Sequence, residues 1–181
     1  MNSQKIWTIP NILTFLRILF VPVFIYLYLN GYHTASAVTI LICGLTDFLD
    51  GYIARHYNQV SELGKALDPV ADKLLQLAIV FVLIFTVKHM IWLFLLFIIK
   101  EASMLICWLL LKKKGGYMNG ALWFGKISTA VFYIAMFALI ALPIANTATG
   151  NLLMVVTAFF LAMSFYFYMR TYIMMFHDLK K

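Results

Sequence analysis

Four of the chain's seven carboxylates, Asp47, Asp50, Asp68 and Asp72, fall within residues 46–73, "TDFLDGYIARHYNQVSELGKALDPVADK". Helix positions three or four apart share a face, so Asp47, Asp50, Gly51 and Ala54 form one stripe, which Arg55 extends by a turn. The same spacing puts Gly64, Asp68 and Asp72 on a second stripe, across a short joint from the first. Four carboxylates in one pocket repel one another, so at neutral pH either some stay protonated or a cation neutralises them. Hard oxygen donors without His or Cys select Mg²⁺, Mn²⁺ or Ca²⁺ over zinc, and a shared cluster suits two ions a few ångströms apart. Gly51, Gly64 and Ala54 lack bulk, which allows a substrate or another backbone to approach closely. Arg55 offers a fork of donors to a phosphate.

The elements that carry these stripes must lie in lipid. The 181-residue chain is 64% hydrophobic and 12% charged, and its apolar runs repeatedly reach the roughly 20 residues that cross a hydrocarbon core. The runs fall at about 11–29, 35–56, 66–87, 90–111, 121–143 and 151–175. They are continuously apolar and not alternating, which favours helices over a barrel. The expected fold is therefore an all-α polytopic membrane protein of six transmembrane helices, one domain over residues 1–181, preceded by an N-terminal interfacial segment. With ~1.5 Å per residue from the outer end of the second span, Asp47 lies about 16 Å in, where a carboxylate is expensive and marks a polar cavity.

Lys5 and Arg17 flank the first span, Arg55 and Lys65 lie around the second joint, and Lys112, Lys113 and Lys114 fill the fourth. Arg170, Lys180 and Lys181 close the chain, whereas the first, third and fifth joints hold only Lys88 among them. The positive-inside rule then puts both termini and the acidic joint in the cytoplasm. The net charge of +7 reads as topology and contact with anionic membrane lipid, with no nucleic-acid partner expected. The opening "MNSQKIWTIPNILTFLRILF" has no small-residue cleavage site and reads as a lead into a retained first helix. Cys43 and Cys107 lie within spans and read as packing residues, without a disulfide.

The pattern D-x-x-D-G-x-x-A-R-x8-G-x-x-x-D-x-x-x-D runs without departure from Asp47 to Asp72. In this the chain resembles the CDP-alcohol phosphotransferases. Its opening "PNILTFLR", with Pro10, Asn11, Thr14 and Arg17, together with "GKALDPVADK" and "FGKIST" around Lys126, is similar to the bacterial phosphatidylglycerophosphate synthases of that family. Where those enzymes carry Arg-Glu in the fourth helix, this chain has Lys100-Glu101, which replaces a bidentate phosphate contact with a point charge.

The resemblance implies a six-helix enzyme, commonly a homodimer, in the bacterial cytoplasmic membrane. It implies transfer of a phosphatidyl group from CDP-diacylglycerol to glycerol 3-phosphate in phospholipid biosynthesis, with release of CMP. It further implies a divalent pair, Mg²⁺ or Mn²⁺, held by Asp47, Asp50, Asp68 and Asp72, with Asp72 as the base. Gly51, Ala54, Arg55 and Gly64 would then cradle the cytidine and pyrophosphate, joined by Asn11 and Thr14. Lys100 and Lys126 are candidates for the acceptor's phosphate. Adjacent helix positions point about 100° apart, so Lys100 and Glu101 are each expected to need a partner on another helix; a structural interhelical role for them stays open, as does an interfacial one for Lys126. A cardiolipin synthase of the same family, with phosphatidylglycerol as the acceptor, is the alternative. A divalent-cation transporter would need carboxylates strung across the bilayer, and the outward joints are nearly devoid of acids.

Overall fold

The computed structural model describes residues 8–56, 62–116 and 122–179. Six helices follow in order: α1 (Ile9–Leu29), α2 (His33–His56), α3 (Glu62–Leu83), α4 (Met90–Lys113), α5 (Trp123–Ala141) and α6 (Ala148–Asp178). The described residues contain no strand, as an all-α membrane chain requires. By length and composition, α1, α4, α5 and α6 can cross a membrane. The acidic stripes lie on the other two helices, α2 and α3. Six helices were expected as six spans; among the described residues, four are long and apolar enough to be candidate spans. The largest boundary difference is in α3, which begins at polar Glu62 and ends at Leu83, four residues before the apolar run at either end. Hydropathy tracks side chains, whereas helix ends follow backbone hydrogen bonds. The expected interfacial segment before Thr8 lies outside the described residues.

The chain divides into two compact units. The first holds α1, α2 and α3 with residues 140–143, and α1 packs against both of its partners. Thr8 caps α1 by accepting the Asn11 N–H on its hydroxyl at 3.4 Å, and Pro10 occupies the first turn, where its missing amide hydrogen costs nothing. The buried face of α1 carries Pro10, Asn11, Thr14, Arg17, Phe24 and Tyr28. The opposite face exposes Ile12, Leu16, Leu19 and Val23. Polar inside and apolar outside is the arrangement a helix adopts when lipid, not water, surrounds it.

The second unit holds α4, α5 and α6. Phe97 of α4 stacks on Phe132 of α5 at 5.8 Å between ring centroids, and Phe124 of α5 meets Tyr168 of α6 edge-on at 4.8 Å. Asn146 ties two joints together: its Nδ2 donates to the Thr86 carbonyl at 2.9 Å and its Oδ1 accepts the Lys88 N–H at 2.6 Å. Thr147 caps α6. A Cβ at Gly150 would strike the Ile144 carbonyl oxygen, so only glycine lets that turn close on the helix. Lys112 and Lys113 lie in the last turn of α4, where cations complement the helix dipole, and Lys112 lies over the Trp108 ring at 5.1 Å.

Five of the hydroxyls inside these helices find acceptors on the backbone one turn earlier, whereas the buried Ser128 and Ser164 Oγ make no hydrogen bond among the described residues. Thr14, Ser36, Thr39, Thr157 and Thr171 each donate to the carbonyl four residues earlier, which satisfies them without a partner in lipid.

Candidate active site

Asp47 lies on α2 near its C-terminal end, and Asp68 and Asp72 lie on α3, one turn apart. The two helices are joined by a short connection, so their acidic stripes belong to the same unit. Between them stands a side chain from α1. The Arg17 Nη1 lies 2.7 Å from Asp47 Oδ1 and 3.2 Å from Asp68 Oδ1. Those two carboxylate oxygens are therefore at most 5.9 Å apart, the sum of the two distances. The charges of Asp68 and Asp72 both repel Asp47, and the Arg17 charge attracts it.

Burial is uneven across this triad. The Arg17 side chain is 0% exposed, while those of Asp47 and Asp68 are 46% and 49% exposed. The guanidinium thus lies on the protein side of the carboxylates, and their other faces are open. Asn11 and Thr14 are buried on the same face of α1, two turns and one turn before Arg17. Gly64 falls on the stripe of Asp68 and Asp72 and is partly buried, as is Asp72 itself. The side chains of Asp50, Gly51, Ala54 and Arg55, all on α2, lie outside the described residues.

Sequence reasoning placed Arg17 in the "PNILTFLR" opening but gave it only the role of a charge flanking the first span. The structure instead sinks it eight residues into α1, with 1% exposure. A signal was present, since Asn11, Thr14 and Arg17 recur every three residues along one face, but an arginine near a helix end also fits topology. A hydropathy reading has no means to choose between these.

The donor set fits a hard divalent cation. Carboxylate oxygens of two helices converge on one point of positive charge, half open to the outside, as oxygen-seeking ions require. Among the described residues no group of three or more His, Cys, Asp or Glu side chains is close enough to form a metal cage; the Asp50 carboxylate is outside that set.

In the second unit Lys100 is buried, at 4% exposure, and its Nζ lies 2.7 Å from Glu101 Oε1. Both side chains are long enough to bend together despite the roughly 100° between their Cβ directions. Lys126 is exposed. Its position follows from the residue before it, because a Cβ at Gly125 would run into the Tyr168 hydroxyl, which accepts the Leu122 N–H at 3.2 Å. Gly125→Ala is therefore expected to displace Tyr168 and loosen the start of α5. A loss of about 1–3 kcal/mol, read as a lower thermal midpoint in detergent, checks it. Tyr168→Phe in the same background should restore part of the loss, since it removes the clashing oxygen.

Residues 7–176 match the model for the CDP-alcohol phosphatidyltransferases. The chain belongs to this family. Among similar proteins, a cardiolipin synthase (CMP-forming) of Streptomyces coelicolor is 32% identical over 134 residues, which is 71% of this chain and 62% of that protein. A CDP-diacylglycerol--glycerol-3-phosphate 3-phosphatidyltransferase of Rickettsia typhi is 49% identical over 70 residues, 37% of this chain and 39% of that protein. The Pseudomonas fluorescens protein of the same name is 42% identical over 88 residues, 47% of this chain and 45% of that protein. Each match spans less than two thirds of the relative's own length.

Proposed function

We propose that this CDP-alcohol phosphatidyltransferase moves a phosphatidyl group from CDP-diacylglycerol to a hydroxyl of glycerol 3-phosphate, and that its acidic site faces the cytoplasm. The observation that carries the reading is the meeting of Asp47 and Asp68, from two helices, on one cationic nitrogen, within a motif complete from Asp47 to Asp72. A pyrophosphate donor needs its charge neutralised and its attacking and leaving oxygens aligned. Two Mg²⁺ or Mn²⁺ ions held by Asp47, Asp50, Asp68 and Asp72 would supply that neutralisation. Asp72 takes the proton of the acceptor hydroxyl as its oxygen bonds to the phosphatidyl phosphorus. The bond from that phosphorus to CMP breaks, and CMP leaves with the electron pair. Arg55, Gly51, Ala54 and Gly64 hold the cytidine and pyrophosphate, with Asn11 and Thr14 from α1, while the acyl chains stay in lipid.

Support for glycerol 3-phosphate comes from the "PNILTFLR", "GKALDPVADK" and "FGKIST" elements and from the names of the Rickettsia and Pseudomonas relatives. Phosphatidylglycerol is the second reading. It is favoured by the Streptomyces cardiolipin synthase, whose match covers 71% of this chain, and by the pairing of Lys100 with Glu101, which leaves less net charge for a dianion.

The experiment offers purified protein the same donor with glycerol 3-phosphate or with phosphatidylglycerol, and measures CMP and the lipid product. Lys126→Met, which keeps the stem and removes the charge, is expected to raise KM for glycerol 3-phosphate about 10-fold and to spare KM for CDP-diacylglycerol. Lys126 is the cleaner probe, because Lys100→Met also strips Glu101 of its counter-charge. Turnover with phosphatidylglycerol alone overturns the glycerol 3-phosphate reading.

A further inference from the structure

We infer that Arg17 is a positioning residue of the acidic site, holding one oxygen of Asp47 and one of Asp68 from the protein side so that their remaining faces are presented together to a divalent cation. The inference rests on the metal-dependent reading above and adds a residue to it. Three observations carry it. One nitrogen, Nη1, reaches Oδ1 of both carboxylates, at 2.7 and 3.2 Å, and so ties α2 to α3 through α1. The arginine side chain is 0% exposed and each carboxylate about half exposed, so a cation arriving from the open side meets aspartates already aimed and need not displace the guanidinium. Arg17 also lies on the α1 face that packs on both acidic helices. Groups that hydrogen-bond to ligating carboxylates fix their orientation, and their loss typically weakens metal binding by about 10- to 100-fold.

A competing account makes Arg17 a counter-ion whose charge merely opposes the metal. The two differ in sign. Deleting a repelling charge tightens cation binding, whereas deleting an aligning contact weakens it. Arg17→Lys keeps the charge on a shorter side chain, which draws the nitrogen back from the point between the two carboxylates, so it isolates alignment; Arg17→Met removes both.

The test measures Mn²⁺ binding to the full-length protein in lipid nanodiscs by the loss of the free Mn²⁺ resonance in electron paramagnetic spectra, with thermal unfolding recorded alongside. Arg17→Lys is expected to raise the Mn²⁺ dissociation constant about 10-fold and Arg17→Met to raise it further. If Arg17→Met does not fold, Arg17→Lys decides alone. An unchanged dissociation constant in folded Arg17→Lys, or tighter binding in Arg17→Met, overturns the inference while leaving the metal reading intact. A wild type that binds no Mn²⁺ overturns that reading, and this inference with it.

Discussion

Asp47→Asn is expected to cut phosphatidyl transfer on the order of 10³-fold, the scale on which single charged groups act in phosphoryl transfer, and Asp68→Asn to do the same. The asparagine oxygen still accepts a hydrogen bond from Arg17, so the tie between α1 and the acidic helices is kept and only the negative charge is lost. Asp47→Ala removes both. It should be equally inactive and also less stable, because it leaves a buried guanidinium with one carboxylate fewer. Turnover of CDP-diacylglycerol at ordinary Mg²⁺, with thermal midpoints for the Asn and Ala variants, separates the two losses. Near-wild-type turnover in either Asn variant would remove these residues from the metal site. A partial loss that extra Mg²⁺ restores would assign them to binding the ion and not to the reacting geometry.

Asp72→Asn is the second large effect. A positioned base contributes about 10²- to 10⁴-fold, and the amide keeps the shape of the carboxylate but accepts no proton. Turnover should fall within that range while CDP-diacylglycerol and Mn²⁺ still bind. The loss should appear in kcat, since the group acts in the transition state more than in the ground state. Asp72 is on α3 one turn beyond Asp68, and its charge is felt at Asp47. A ligand role is therefore the outcome to separate from a base. Loss of donor or metal affinity with little change in kcat would make Asp72 a ligand.

Some of this protein was legible residue by residue. Helical spacing put Gly64, Asp68 and Asp72 on one stripe of α3, where the structure has them. The count of six helices and most of their boundaries followed from apolar runs, because a bilayer imposes one length and one composition on every crossing element. The acidic helices α2 and α3 were harder to read, since their carboxylates lower the hydropathy that otherwise advertises a span. That Lys100 and Glu101 reach each other was not legible, because a rule about where Cβ atoms point understates the reach of long side chains.

The sequence by itself determined the family, through spacings complete from Asp47 to Asp72 that encode helix faces directly. It also determined the membrane setting, through composition alone. Only the tertiary structure decided which cation meets those aspartates. Arg17 is 30 residues from Asp47 and 51 from Asp68 in the chain, and no periodicity links an arginine on one helix to carboxylates on two others. That contact exists because α1 packs against α2 and α3 with its polar face inward, a consequence of burial in lipid that acts between helices and leaves no mark in local spacing.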